Sequence, residues 1–166
     1  MKKIAFLAVC IFFMPFLSAK GINFQIVQIT PEQTEIFEIS KIFEEAVTDF
    51  FYEAGHIVTN SPSCIKNGGD NQEEFKKVLL ETITGGMEML VRVEISFKEG
   101  EGLNPKGLNL NSIDNIRWNV YASSTGKLVS SSQISPGNDK NIKMTEAEIY
   151  NFASFVASKI SSGLRN

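Results

Sequence analysis

The clearest pattern in the sequence is a run of alternating apolar and polar residues near its middle. Six apolar side chains occupy every second position from Met87 to Phe97, and the positions between them are polar except for Leu90. Side chains of a β-strand point alternately to opposite faces, so this segment predicts a strand with one buried and one solvated face. A strand covered on both faces would be apolar throughout, so we expect helices mainly on one face of the sheet.

The other elements follow from capping signals and periodicity. Thr30 begins the first predicted helix, where Gln33 completes a capping box, and Thr145 with Glu148 forms a similar box before the last helix. A strand, a long helix and a strand predict a parallel crossover, and the last three strands predict an antiparallel meander. The predicted order is βαβαβββα, a two-layer α/β (α+β) fold with a mixed five-stranded sheet. The predicted strands lie at about residues 22–29, 56–59, 87–98, 116–122 and 127–135, and the helices at about 30–54, 70–84 and 145–160.

The first 19 residues have the three parts of a secretory signal peptide. Lys2 and Lys3 form a positive start, residues 4–17 are apolar, and a small-residue cleavage site ends at Ala19. The apolar stretch is 14 residues long, whereas a membrane-spanning helix needs roughly 20. We therefore expect cleavage before Lys20, one α/β domain over residues 20–166, and no stable membrane span in the mature protein.

Two alternatives for this leader stay open. Short apolar regions sometimes persist as uncleaved anchors. The segment ending Leu7-Ala8-Val9-Cys10 is similar to a lipoprotein cleavage box, although Val9 is bulkier than the residue such a box prefers. We favour a released protein in the periplasm, which would associate with the outer membrane only through a partner.

The charge balance argues against nucleic acid and membrane surfaces as partners. The chain has 16 basic and 19 acidic residues, and loss of Lys2 and Lys3 with the leader leaves 14 against 19, a formal charge of −5. Binding to nucleic acid or to an anionic membrane depends on a basic face. No stretch of the sequence is dense in lysine or arginine. We expect no nucleic-acid partner.

The sequence contains few residues that carry catalytic chemistry. His56 is its only histidine, and Cys64 is its only cysteine beyond the leader. These two residues fall short of the ligand set of a structural zinc site, and neither a nucleophile elbow nor a nucleotide-binding glycine loop is present. We therefore predict a non-enzymatic protein without metal or cofactor. A small hydrolase or ligand-binding protein with a pocket near His56 and Cys64 remains an alternative.

Two surfaces remain as candidates for binding a partner. One is the polar face of the predicted meander, where polar and aromatic side chains alternate as they do at protein interfaces. The other is the long predicted loop at residues 100–115, which is more apolar than solvent exposure requires. The candidate partner-binding residues on these surfaces are Leu90, Arg92, Leu103, Leu108, Leu110, Arg117 and Tyr121.

Three segments resemble a group of bacterial envelope domains. They are GHIV at residues 55–58, GGMEMLV at 85–91 and STGKLV at 124–129, and the resemblance spans most of residues 22–163. The group consists of anticodon-binding-like α/β domains: the amino-terminal domain of the Tol-system propeller protein, curli-secretion lipoproteins and lipoprotein activators of penicillin-binding proteins. The resemblance implies a non-enzymatic assembly or adaptor domain, and it carries over no catalytic residue.

The sequence thus predicts an exported periplasmic domain that binds another cell-envelope protein. The alternative is a self-assembling structural protein of the envelope. That alternative predicts a homo-oligomer, joined by an intermolecular bridge at Cys64 or by pairing of the serine-rich last strand.

Overall fold

The structure is a computed structural model that describes residues 19–30, 34–67, 72–98, 104–136 and 145–164. The leader up to residue 18, the predicted capping residue Gln33 and the candidate Leu103 lie outside these residues. The described elements, in chain order, are β1 (Gly21–Ile29), α1 (Glu38–Glu53), β2 (Ile57–Asn60), β3 (Cys64–Lys66), α2 (Gln72–Thr84), β4 (Met89–Phe97), a 3₁₀ turn (Leu110–Ser112), β5 (Ile113–Ala122), β6 (Lys127–Ile134) and α3 (Glu146–Gly163).

The strands of the described chain form one mixed sheet. Their order is β2-β1-β4-β5-β6, and β3 also pairs with β1. β1 runs parallel to β2, β3 and β4, whereas β4, β5 and β6 form an antiparallel meander. The predicted fold class is therefore confirmed. The extra strand β3 is only three residues long, too short to give a recognisable alternation.

The helices lie on both faces of the sheet, but mainly on one. α1 packs on the face of β1 that carries Phe24, whose ring centroid lies 4.9 Å from that of Phe51. α3 packs against α1, with Phe152 placed 6.2 Å from Phe43 between ring centroids. α2 lies on the opposite face, where its Thr82 accepts a hydrogen bond from Asn23. Two of the three described helices share a face, as the alternation in β4 indicated.

The cap of α1 lies seven residues later than predicted, at Phe37, so the prediction of a cap at Thr30 is wrong. Within the described chain, the buried Thr30 Oγ1 has no hydrogen-bond partner. The backbone N–H groups at the actual start are satisfied by tertiary contacts: Phe37 N–H donates to Gln28 Oε1 at 2.8 Å, and Glu38 N–H donates to the carbonyl of Pro105 at 2.8 Å. Since distant groups satisfy these donors, the helix start has no local capping signature.

Other helix ends match the sequence signals. Gly55 follows α1 with φ +83°, and Gly86 follows α2 with φ +71°, a left-handed region that favours glycine. At the start of α3, Thr145 N–H donates to Glu148 Oε2 at 2.7 Å and Glu148 N–H donates to Thr145 Oγ1 at 3.3 Å. The capping box predicted at Thr145 and Glu148 is therefore confirmed.

The described apolar residues of the segment at 100–115 lie in the core or pack against it. Leu110 and Ile113 are only 4% and 1% exposed, and Leu108 packs against the same cluster. The predicted loop is also shorter at its end, since the 3₁₀ turn occupies Leu110–Ser112 and β5 starts at Ile113. The apolar character of this segment therefore serves packing at the end of the sheet.

We expect Phe51→Ala to lower the free energy of unfolding by about 3–5 kcal/mol, because it removes a fully buried ring from the sheet–helix core. The neighbouring Tyr52 is 74% exposed, so Tyr52→Ala should change stability by about 0.5 kcal/mol or less. Urea denaturation of both variants measures the difference. Equal destabilisation of the two variants would contradict the assigned helix face.

Candidate protein-binding edge and groove

Two candidate residues predicted on the polar sheet face lie beneath α2. Leu90 is fully buried, and Arg92 is 7% exposed. Arg92 Nε donates to Gln25 Oε1 at 2.9 Å, and its guanidinium carbon lies 5.5 Å from the centroid of the Phe75 ring. The sequence did not predict that α2 covers these two residues, because the alternation in β4 does not show which face of the sheet α2 packs against. Neither side chain is available to a partner.

Arg117 and Tyr121 lie on the same face of the sheet, on β5. Arg117 is exposed, and its Nη2 donates to Gln133 Oε1 at 3.3 Å. Tyr121 is half-buried, with its ring 4.8 Å from that of Phe75, and burial raises the pKa of its phenol. These two candidates, together with Asn119 hydrogen-bonded to Ser131, form a polar strip across β5 and β6.

The structure does not bring His56 and Cys64 together. His56 immediately precedes the residue that pairs with Gly21, whereas Cys64 pairs with Val27. Six positions along β1 separate these partners, which corresponds to about 20 Å. His56 Nδ1 accepts the N–H of Lys20 at 3.2 Å. A pocket shared by His56 and Cys64 would have to cover the length of the sheet edge.

Cys64 lies half-buried on the edge strand beside Arg92. Burial raises the pKa of its thiol, and the positive charge of Arg92 only partly opposes this effect. Since the thiolate is the reactive form, this environment does not favour an intermolecular bridge.

Within the described ranges, no cluster of three histidine, cysteine or acidic residues could hold a metal ion. None of the helices in the described part of the chain is both long enough and apolar enough to cross a membrane.

The two edges of the sheet differ in their openness. On the β2–β3 edge, residues 61–63 stand opposite only two residues of β1, so the strand bulges at Pro62. β6 forms the other edge, and within the described chain it pairs with β5 alone. Of its eight residues, six are exposed and two are half-buried. Lys127 is its only charged residue, and it contains no proline.

An edge of this kind presents unpaired backbone N–H and C=O groups to any extended chain. Natural proteins usually blunt such edges with charges, prolines or bulges, as the β2–β3 edge illustrates. A register shift between Val120 and Tyr121 affects only the beginning of β6. The remainder of β6 is therefore open to strand addition.

A groove runs beside β6, between this strand and α3. Its volume is about 390 Å³, and its lining comprises Trp118, Ser130, Ser132, Gln133, Ile134, Lys159, Ser162 and Gly163. A Cβ placed on Gly163 would lie 3.0 Å from Ser130 Oγ, so the groove is narrow where α3 ends. Nearer the middle of α3, Lys159 Nζ lies 5.0 Å from the centroid of the Phe155 ring.

Sequence reasoning did not single out this groove. Helical periodicity predicts Phe155 on the buried apolar face of the last helix, together with Ile149, Phe152, Val156 and Ile160, but its side chain is 44% exposed. Phe155 lies at the margin of this face, and only the position of β6 decides whether that margin is covered. The sequence feature that could have indicated the groove is the serine-rich composition of the edge strand. We interpreted that composition only as a sign of pairing between two copies of the chain.

Fold and site together define a mixed α/β domain with one open edge strand and an adjoining groove. A model of a protein family described as "Uncharacterised protein" matches residues 21–165, and the chain belongs to that family. No curated protein matches the sequence.

Several solved structures are similar in fold at low sequence identity. The PelC L103M dodecamer from Paraburkholderia phytofirmans is 10% identical over 88% of this chain and 89% of that one, with a TM-score of 0.44. TolB from Acinetobacter baumannii is 12% identical over 89% of this chain and 30% of its own, with a TM-score of 0.43. The LpoB C-terminal domain from Salmonella enterica is 10% identical over 77% and 90%, with a TM-score of 0.38.

TolB and LpoB represent two of the groups named by the sequence resemblance. At these identities and TM-scores, the likenesses assign no activity, ligand or partner to this chain.

We expect the Cys64 thiol to react several-fold more slowly with Ellman's reagent in the folded protein than in denaturant, because burial raises its pKa and lowers the thiolate fraction. In the protein without its leader, Cys64 is the only cysteine, and a Cys64→Ser variant supplies the background. The absorbance of the released thiol measures the rate. A folded-state rate equal to the denatured rate would contradict the assigned burial.

Proposed function

We propose that this protein is an exported, non-enzymatic domain that binds another cell-envelope protein, and that it does so by strand addition at β6. The observation that carries the proposal is the open edge: in the described chain, β6 has one charged residue, no proline and no strand on its outer side, and its register shift is confined to its beginning. Main-chain hydrogen bonds from an added strand supply affinity, and neighbouring pockets supply specificity.

The amino-terminal signal supports the location in this proposal. Residues 1–19 have the pattern of a cleaved secretory leader, so the domain at 20–166 would fold in the periplasm. A protein of this kind would reach the outer membrane only through its partner. The acidic mature chain supports a protein partner over nucleic acid.

The polar strip on β5 and β6 adds side-chain contacts to the edge. Arg117 is exposed, and Tyr121 is half-buried with its ring against Phe75. Both residues lie on β5, next to β6, the strand with which the partner would pair. Tyrosine and arginine are enriched among the residues that contribute most of the binding energy at protein interfaces. The alternative of a hydrolase or ligand pocket at His56 and Cys64 is less well supported, because about 20 Å of sheet edge separates the two positions.

Photocrosslinking in intact cells tests the proposal. We expect a photoreactive residue at position 131, in the middle of the open edge, to give a discrete adduct that mass spectrometry identifies as a different envelope protein. The same residue at position 80, exposed on α2, should give no such adduct. Absence of an adduct from position 131 in folded, exported protein would contradict the proposal, and an adduct with a second copy of this chain would instead support self-assembly.

A charged edge variant provides the matched control. Val129→Lys places a charge on the edge, and charged edges resist strand pairing, so we expect it to reduce the adduct from position 131 severalfold. Leu80→Lys adds the same charge at a comparably exposed position, 61% against 52% for Val129, and should leave the adduct unchanged. Equal effects of both variants would show that the edge itself is not involved.

A further inference from the structure

The groove between β6 and α3 suggests what kind of segment the edge receives. On the basis of the proposed strand addition, we infer that the partner contributes an extended peptide. This peptide carries one acidic and one apolar side chain, and both face α3. The acidic group binds Lys159, and the apolar group packs beside Phe155 and Ile134.

The geometry of strand addition directs alternate side chains into the groove. An added strand would lie about 4.8 Å from β6, and every second side chain would point toward the face that carries α3. On that face β6 presents Ser130, Ser132 and Ile134, all of which line the groove. The groove is narrow at Ser130 and Gly163. A large apolar side chain therefore fits toward the Ile134 end.

Charge complementarity supports an acidic group. Lys159 is the only charged residue among the described residues that line the groove. In the described part of the chain, the one salt bridge joins Lys41 to Glu38 on α1, so the Lys159 ammonium has no carboxylate partner there. Its Nζ lies over the face of the Phe155 ring, 5.0 Å from the centroid. A carboxylate on an added strand would give this ammonium a charged hydrogen-bond acceptor.

Exposed apolar surface at the groove supports an apolar side chain in the partner peptide. Phe155 is 44% exposed beside Lys159, and Ile134 is half-buried at the same groove. Trp118, 5% exposed, forms part of the lining from β5. Apolar surface next to a strand edge is buried when a partner side chain covers it, and this burial favours binding.

The same charge argument disfavours a second copy as the occupant. β6 contains Lys127 but no aspartate or glutamate. Edge-to-edge pairing of two copies would therefore place no carboxylate from β6 beside Lys159. The groove is better matched by a segment from a different, acidic sequence.

Selection of peptides from a random library displayed on phage tests the inference with the full chain as bait. We expect the selected sequences to be enriched in one acidic and one apolar residue at alternate positions. Lys159→Glu should weaken binding of a synthetic peptide of the selected sequence by at least about tenfold, because like charges face each other across the interface. Lys77→Glu, an exposed change of equal charge on α2, should leave its affinity unchanged.

Selected peptides without acidic enrichment, or with affinities that Lys159→Glu leaves unchanged, would overturn the inference. Failure to select any peptide, with the bait forming concentration-dependent oligomers, would overturn it in favour of a second copy. The two proposals fail separately: a heterologous crosslink at position 131 combined with no dependence on Lys159 would leave strand addition intact and remove only the acidic peptide.

Discussion

Three buried carboxamide side chains on β1 hold the surrounding elements to the centre of the sheet. These are Asn23, Gln25 and Gln28, exposed by 3%, 1% and 0%. Asn23 donates to Thr82 of α2 at 2.8 Å, Gln25 accepts from Arg92 of β4 at 2.9 Å, and Gln28 accepts from the N–H of Phe37 before α1 at 2.8 Å. Because an unsatisfied buried polar group is costly, each bond favours one register and one helix position.

This arrangement concentrates the constraints at one side of the sheet. β1 is paired on both sides, is covered on both faces, and lies next to an edge that Pro62 and a bulge interrupt. β6, three positions away from β1 in the strand order, has no second neighbour in the described chain, and its register shift is confined to its beginning. The fold is therefore closed where its polar network lies and open where we place the partner.

Local patterns in the sequence predicted the strands and helix ends that depend on interactions between residues close in the chain. The alternation around Met89 to Phe97, the glycine at position 55 and the capping box at Thr145 all correspond to observed features. The failures concern tertiary contacts. Arg92 reads as a solvated residue, yet it is buried because Gln25 and Phe75 accommodate its guanidinium; Leu110 reads as a loop residue, yet it fills the core. The groove beside Lys159 also depends on how α3 packs against the sheet, which no local pattern records.

The central claim is that β6 gains a neighbouring strand when the partner binds. The most direct test of this claim is hydrogen exchange of the β6 backbone amides. It is measured with and without the partner identified by crosslinking, or with and without a selected peptide. Strand addition predicts that amides of Lys127–Ile134 that face away from β5 exchange much more slowly in the complex, whereas those of β2 are unchanged. Binding that leaves exchange at β6 unaltered would contradict the account.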